Sequence, residues 1–143
     1  MPPPVPTYRP LLPKTLVEDG LLSAPQLESV IYAGNAHETH LKGWFKRGEI
    51  EGQLMAAAEG DEGAFRLRKG WFLGDGTGCG KGRQVAGIIL DNWLQGRRRA
   101  VWVSKSDKLI EDARRDWMAL GGRESDIVPL SKFRQGGGIR LPE

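Results

Sequence analysis

Every second residue from Gly74 to Gly82 is glycine, in the run Gly74-Asp75-Gly76-Thr77-Gly78-Cys79-Gly80-Lys81-Gly82-Arg83. The apolar triplet Trp71-Phe72-Leu73 precedes this run and a helical pattern over residues 81–94 follows it, so the chain reads here as strand, glycine-rich loop and helix. Glycines let successive backbone N–H groups converge on an anion without interference from Cβ. The helix that follows presents its positive N-terminal end, and a lysine supplies a mobile point charge. This is chemistry for the phosphates of a nucleoside triphosphate. Against the general pattern G-x-x-x-x-G-K-[ST], Gly80-Lys81 fits, Asp75 stands where the first glycine would be, and Gly82 stands where the hydroxyl would be. Because Ser or Thr at that last position ordinarily ligates Mg²⁺, a metal here would need water or a distant carboxylate.

The core Thr77-Gly78-Cys79-Gly80-Lys81 resembles motif I of the superfamily 2 helicases, whose chromatin-remodelling branch also carries aspartate where Asp75 stands. A longer string, Gly74 through Lys81-Gly82-Arg83-Gln84-Val85-Ala86-Gly87-Ile88-Ile89, is similar to the ATPase motif of the strawberry notch family, in which G-K-G-R replaces G-K-T. The resemblance continues through residues 91–104 and 109–117 and covers residues 70–122 well. It implies ATP and Mg²⁺ as cofactors, with Gly76, Thr77, Gly78, Cys79, Gly80, Lys81 and Gly82 around the phosphates and Arg83 supporting them. Ser23-Ala24-Pro25-Gln26-Leu27-Glu28 resembles the upstream glutamine motif that reads adenine, so Gln26 is a candidate nucleotide contact. Ser23 and Gln26 equally make a capping box at a helix start, and the two readings stand side by side. Ser104-Lys105-Ser106 falls where superfamily 2 proteins hold nucleic-acid phosphates, and it too has a second reading, as a capping cluster for the next helix.

The organisation along the chain supports an α/β fold: a partial RecA-like lobe of the P-loop NTPase type, with a parallel sheet flanked by helices. Residues 1–22 hold Pro2, Pro3, Pro4, Pro6, Pro10 and Pro13 and read as an extended arm, leaving 23–143 as the ATP-binding lobe. A helix is expected over 24–33, with Gly34-Asn35 as its stop, and residues 35–64 read as a surface excursion with a helical stretch at 54–58. A short hairpin or strand is expected at 65–73, strands at 100–103 and 126–130, and helices at 81–94 and from 107 to 120. Strands alternating with helices in this way imply right-handed crossovers and parallel pairing. Val85, Ile88, Ile89, Val101, Val103, Leu109, Ile110, Trp117, Leu120, Ile127 and Val128 are the expected core.

Charge is unevenly placed. Residues 71–143 carry 13 Lys/Arg against 9 Asp/Glu, whereas residues 1–70 carry 8 against 9, so the positive excess sits with the loop. That fits a polyphosphate or a nucleic-acid partner, with DNA the leading candidate. No run approaches the roughly 20 apolar residues of a membrane span, and a single cysteine, Cys79, fits a reducing cytoplasm. His37 and His40 have no strong third ligand nearby in sequence, and Tyr8 with Arg9 could stack on an adenine or simply pack. A motor of this type needs a carboxylate pair on another strand and an arginine from a second lobe. Neither is recognisable before the end at residues 139–143, so the chain is expected to be an N-terminal portion, inactive alone, with a downstream polypeptide supplying the rest. The alternative is a non-catalytic nucleic-acid or protein interaction module that keeps the fold.

Overall fold

A computed structural model describes residues 5–133. Residues 1–4 of the proline arm and residues 134–143, which contain the expected end of the lobe, lie outside the described residues. Contacts divide the chain into two compact units, one from residues 5–9 and 31–72, the other from residues 10–30 and 73 onward. Six named elements follow in order: α1 (Thr15–Glu18), α2 (Ala24–Glu38), β1 (Trp44–Arg47), β2 (Leu54–Ala57), α3 (Lys81–Leu94) and α4 (Ile110–Met118). No helix among the described residues is long and apolar enough to cross a membrane.

In the first unit, α2 runs on to Glu38 instead of stopping at Gly34-Asn35. Glycine inside a helix costs about 1 kcal/mol against alanine, and here close packing accounts for it. A Cβ at Gly34 would lie 2.1 Å from the ring of Tyr8, which is itself 6% exposed. Tyr8 is therefore a packing residue of the arm, and Asn35 secures the same segment by accepting hydrogen bonds from the Thr7 backbone N–H and hydroxyl at 3.3 and 3.2 Å. Residues 54–57 form a strand, not a helix: β2 pairs antiparallel with β1 in the register Trp44↔Ala57 to Arg47↔Leu54. Phe45 bridges onward to Phe65, and Tyr32 stacks on Trp71 with ring centroids 5.9 Å apart.

The second unit is built on α3 and α4. Its buried core comprises Leu16, Leu22, Val30, Ala86, Trp117 and Leu120, with Ile88, Ile89, Trp93 and Ile127 packed against them. Trp117 and Trp93 meet at 5.8 Å in a tilted pair. A buried aspartate in α3, Asp91, accepts from the Leu11 backbone N–H at 2.7 Å and the Gln95 amide at 3.0 Å, which ties residues 10–13 to this helix. Of the expected core, Trp117 and Leu120 are central, whereas Val101 and Val103 are 76% and 85% exposed.

The expected parallel sheet is not formed among the described residues, whose only sheet is the antiparallel β1–β2 pair. A parallel ladder requires another strand's N–H and C=O groups alongside each strand. Residues 100–103 have no such neighbour here and run beside a groove of about 700 Å³ lined by Trp93, Trp102, Trp117, Ile127 and Phe133. The expected strand at 126–130 is replaced by short 3-10 turns at Glu124–Asp126 and Leu130–Lys132.

Two outcomes test this packing. Gly34→Ala should destabilise the protein by about 1–3 kcal/mol through overpacking, and its effect should be non-additive with Tyr8→Ala in urea unfolding, because the two residues share one contact. Asp126 supplies the second. Burial of its side chain, which is 8% exposed, opposes ionisation, but hydrogen bonds from Trp117 Nε1 and the Arg123 backbone, together with the Arg123 charge, outweigh burial and hold the carboxyl below its usual 3.8. A lowered folded-state pKa contributes stability that is present above the unfolded value and lost as pH falls through the folded one. Stability should therefore drop as pH falls below about 3.8, and acid titration of Asp126→Asn should lack that component.

Candidate functional site

The loop from Gly74 to Gly80 is exposed throughout and turns directly into α3. Gly78 and Gly80 have φ of +85° and +69°, the left-handed region that only glycine enters without strain. Gly80 is the N-cap of α3 and no side chain caps that helix. The first-turn N–H groups have no intrahelical partner, so they present an uncapped, positively polarised end at the surface, suited to an anion. Elsewhere Ser23 and Gln26 cap α2 and Ser106 caps the turn leading to α4, while the short α1 and α4 itself have no side-chain cap.

Side chains hold this loop from several directions. Lys81 Nζ donates to the carbonyls of Asp75 and Gly76 at 2.8 and 2.6 Å, leaving one of its three donors for a ligand. Gln84, 2% exposed beneath the loop, donates through Nε2 to Asp75 Oδ2 at 2.9 Å and to the Cys79 carbonyl at 3.2 Å. Gln26 completes a capping box, accepting from the Ser23 N–H at 2.9 Å, and also donates to the Gly80 carbonyl at 3.3 Å. Of the two readings of Gln26, the capping box is the one these contacts show. Its amide keeps one donor and one lone pair free in this arrangement, the pair of groups an adenine edge takes up.

Arg83 turns away to brace neighbouring segments. Its Nη1 donates to the Leu21 carbonyl at 2.7 Å and its Nε lies 3.5 Å from Asp116 Oδ1. Ser106 accepts from the Lys108 N–H at 3.3 Å as a helix cap, while Ser104 and Lys105 are exposed. The structure thus gathers Gln26 and residues 76–82 into one cluster. Ser104, Lys105 and Ser106 make no contact with it among the described interactions.

Whether these residues suit Mg²⁺ turns on Gly82, which offers no hydroxyl. Among the described residues no group of three or more His, Cys, Asp or Glu is positioned to hold a metal. One buried carboxylate, Asp116, lies nearby, but its oxygens are already paired with Arg83 and Arg115. A Cβ built on Gly82 would lie 2.1 Å from Asp116 Oδ2, so α4 places an oxygen in the volume that a Ser or Thr side chain would fill. Asp116 and Gln84 are the site residues that sequence reasoning missed. The signal for Asp116 was present in the glycine at position 82, since a missing side chain leaves room for another group.

Comparison with known proteins identifies the family of the chain. The family described as P-loop containing NTP hydrolase pore-1 matches residues 1–141. The chain is 39% identical to protein strawberry notch homolog 1 of Gallus gallus over 134 residues, covering 94% of this chain and 9% of that protein. It is 38% identical to protein strawberry notch of Drosophila melanogaster, covering 89% of this chain and 6% of that one. It is also 38% identical to protein FORGETTER 1 of Arabidopsis thaliana, covering 92% and 8%. The chain therefore spans less than a tenth of the length of these relatives. No solved structure matches it. With a glycine-rich loop opening an uncapped helix, and with relatives of this similarity along most of its length, the chain belongs to the P-loop containing NTP hydrolase pore-1 family and is strawberry notch-like.

Proposed function

We propose that this chain is the N-terminal ATP-binding portion of a helicase-like, nucleic-acid-dependent ATPase of the strawberry notch type. The observation that carries the reading is the uncapped start of α3 behind Gly78 and Gly80, with Lys81 poised over the loop. In this reading the amides of residues 76–82 bind the phosphates of ATP, and the third donor of Lys81 reaches a phosphate oxygen. Gln26 reads adenine while its contact with Gly80 links base recognition to the loop. Arg83 acts by bracing the first turn of α3. Bound Mg²⁺ would neutralise phosphate charge.

The finer architecture belongs to the same proposal. The expected strand segments 65–73, 100–103 and 126–130 come together as a RecA-like parallel sheet once it is completed by strands from a downstream polypeptide that also brings the catalytic carboxylates. Ser104, Lys105 and Ser106, at the end of one such segment, face nucleic acid, for which the positive excess of residues 71–143 favours DNA. The reducing cytoplasm remains the expected setting for a chain whose single cysteine, Cys79, is free and exposed.

Calorimetric titration with Mg-ATP tests the reading. Wild type should bind, and Lys81→Ala should lose about 10-fold or more in affinity, as expected for a charge-assisted hydrogen bond worth roughly 1.5–3 kcal/mol. Gln26→Ala should erode the preference for ATP over GTP. A folded wild-type chain that binds no nucleotide, yet binds DNA in a salt-sensitive manner unaffected by Lys81→Ala, would replace this reading with that of an interaction module.

A further inference from the structure

An aspartate in a loop that binds phosphates is an electrostatic liability, and Asp75 stands where the general pattern has glycine. The nearby ammonium of Lys81 goes to the backbone carbonyls of Asp75 and Gly76, and no ion pair forms at the Asp75 carboxylate among the described residues. What holds this carboxylate is a neutral amide: Gln84 Nε2 donates to Asp75 Oδ2 at 2.9 Å. The same nitrogen donates to the Cys79 carbonyl at 3.2 Å, so one buried side chain grips the loop at its entry and at its exit. Both groups it faces are acceptors, so only the NH₂ end of the amide can point toward them. The other end, Oε1, is buried and has no hydrogen-bond partner among the described residues. A buried acceptor left unpaired costs about 1–3 kcal/mol, a cost that an apolar side chain of similar volume would avoid. What glutamine contributes at this place in α3 is therefore its donor.

We propose that Gln84 is a positioning residue of the nucleotide site: its amide holds the Asp75 carboxylate against α3, out of the way of incoming phosphates, and fixes Cys79 so that the loop amides stay turned outward. The inference rests on the ATP-binding reading given above. Without that donor the carboxylate is repelled by the phosphates and is drawn to the same uncapped amides that they use. Gln84 thus lets the loop carry a negative charge without losing its affinity for anions.

The test titrates ATP calorimetrically in EDTA, where the phosphates keep their full charge, into wild type, Gln84→Met, Asp75→Asn and the double variant D75N/Q84M, with near-UV circular dichroism confirming each fold. Methionine keeps the volume of glutamine and removes the donor. Gln84→Met should weaken ATP binding about 10-fold, and the loss should shrink with added salt, which screens repulsion between exposed charges. The double variant should recover most of the affinity because the charge is gone, a rescue that a purely structural role for Gln84 would not give. Asp75→Asn alone still accepts from Gln84 and should bind ATP as wild type does. Because Asp75 is exposed, this variant tests the assignment without disturbing the core. In the ligand-free chain, ¹⁵N relaxation at Gly76 to Gly80 should report a loop loosened by Gln84→Met and unchanged by Asp75→Asn. Wild-type affinity in Gln84→Met, a double variant no better than Gln84→Met, or tighter binding in Asp75→Asn than in wild type would each overturn the assignment. A folded wild type that binds no ATP would instead sink the phosphate-loop reading, and the relaxation measurement then still decides whether Gln84 fixes the loop.

Discussion

The first turn of α3 is the point on which the second unit depends. Gln26 reaches its N-cap carbonyl, Gln84 ties the preceding loop to it from below, Arg83 links it to Leu21, and Asp116 of α4 packs against Gly82. Each contact uses a different element, so segments distant in sequence agree on one backbone geometry. A helix start held this firmly needs no side-chain cap, and the amides it leaves open are the chemical product of the arrangement. The residues that hold the fold here are also those that shape the candidate site. That double use is economical because the loop glycines cannot contribute packing themselves.

The site was more legible in the sequence than the fold. Alternating glycines, Lys81 and the flanking apolar residues carry their meaning locally, because a phosphate loop is made mostly of backbone groups whose placement depends on nearby residues. The helix 81–94 was equally plain, and the structure gives Lys81–Leu94. What escaped were contacts made at long range. Gly34-Asn35 has the local signature of a helix stop, yet Tyr8 and Thr7, some 26–28 positions earlier, claim those residues and α2 continues past them. Leu54 to Ala57 has helical propensity that pairing with Trp44 to Arg47 overrides. Asp116 escaped because its sequence signal lies far from it, in the glycine at position 82 that it packs against.

The parallel sheet was expected from the alternation of apolar segments with helices, and the two helices α3 and α4 are where that alternation puts them. The segments between them remain extended and expose Val101 and Val103, as Phe72 is exposed at 88% in the first unit. Apolar β-branched residues placed on a strand-like segment are stabilised when neighbours cover them on the pleated surface. Here the second unit's core is supplied instead by helices, with Trp117 and Trp93 at its centre. Helix packing and side-chain hydrogen bonds thus hold the glycine-rich loop without a parallel sheet among the described residues, and the extended segments are left with their backbone groups available for pairing.

The central claim is that the amides between Gly76 and Gly82 form an anion site at the start of α3. The most direct measurement is an amide-resolved nuclear magnetic resonance titration of the isotopically labelled chain with ATP. The account predicts that the backbone resonances of Gly78, Gly80, Lys81 and Gly82 shift first and saturate together, with the Gln26 side-chain amide responding alongside. A well-dispersed spectrum in which those resonances stay fixed while others move would contradict it.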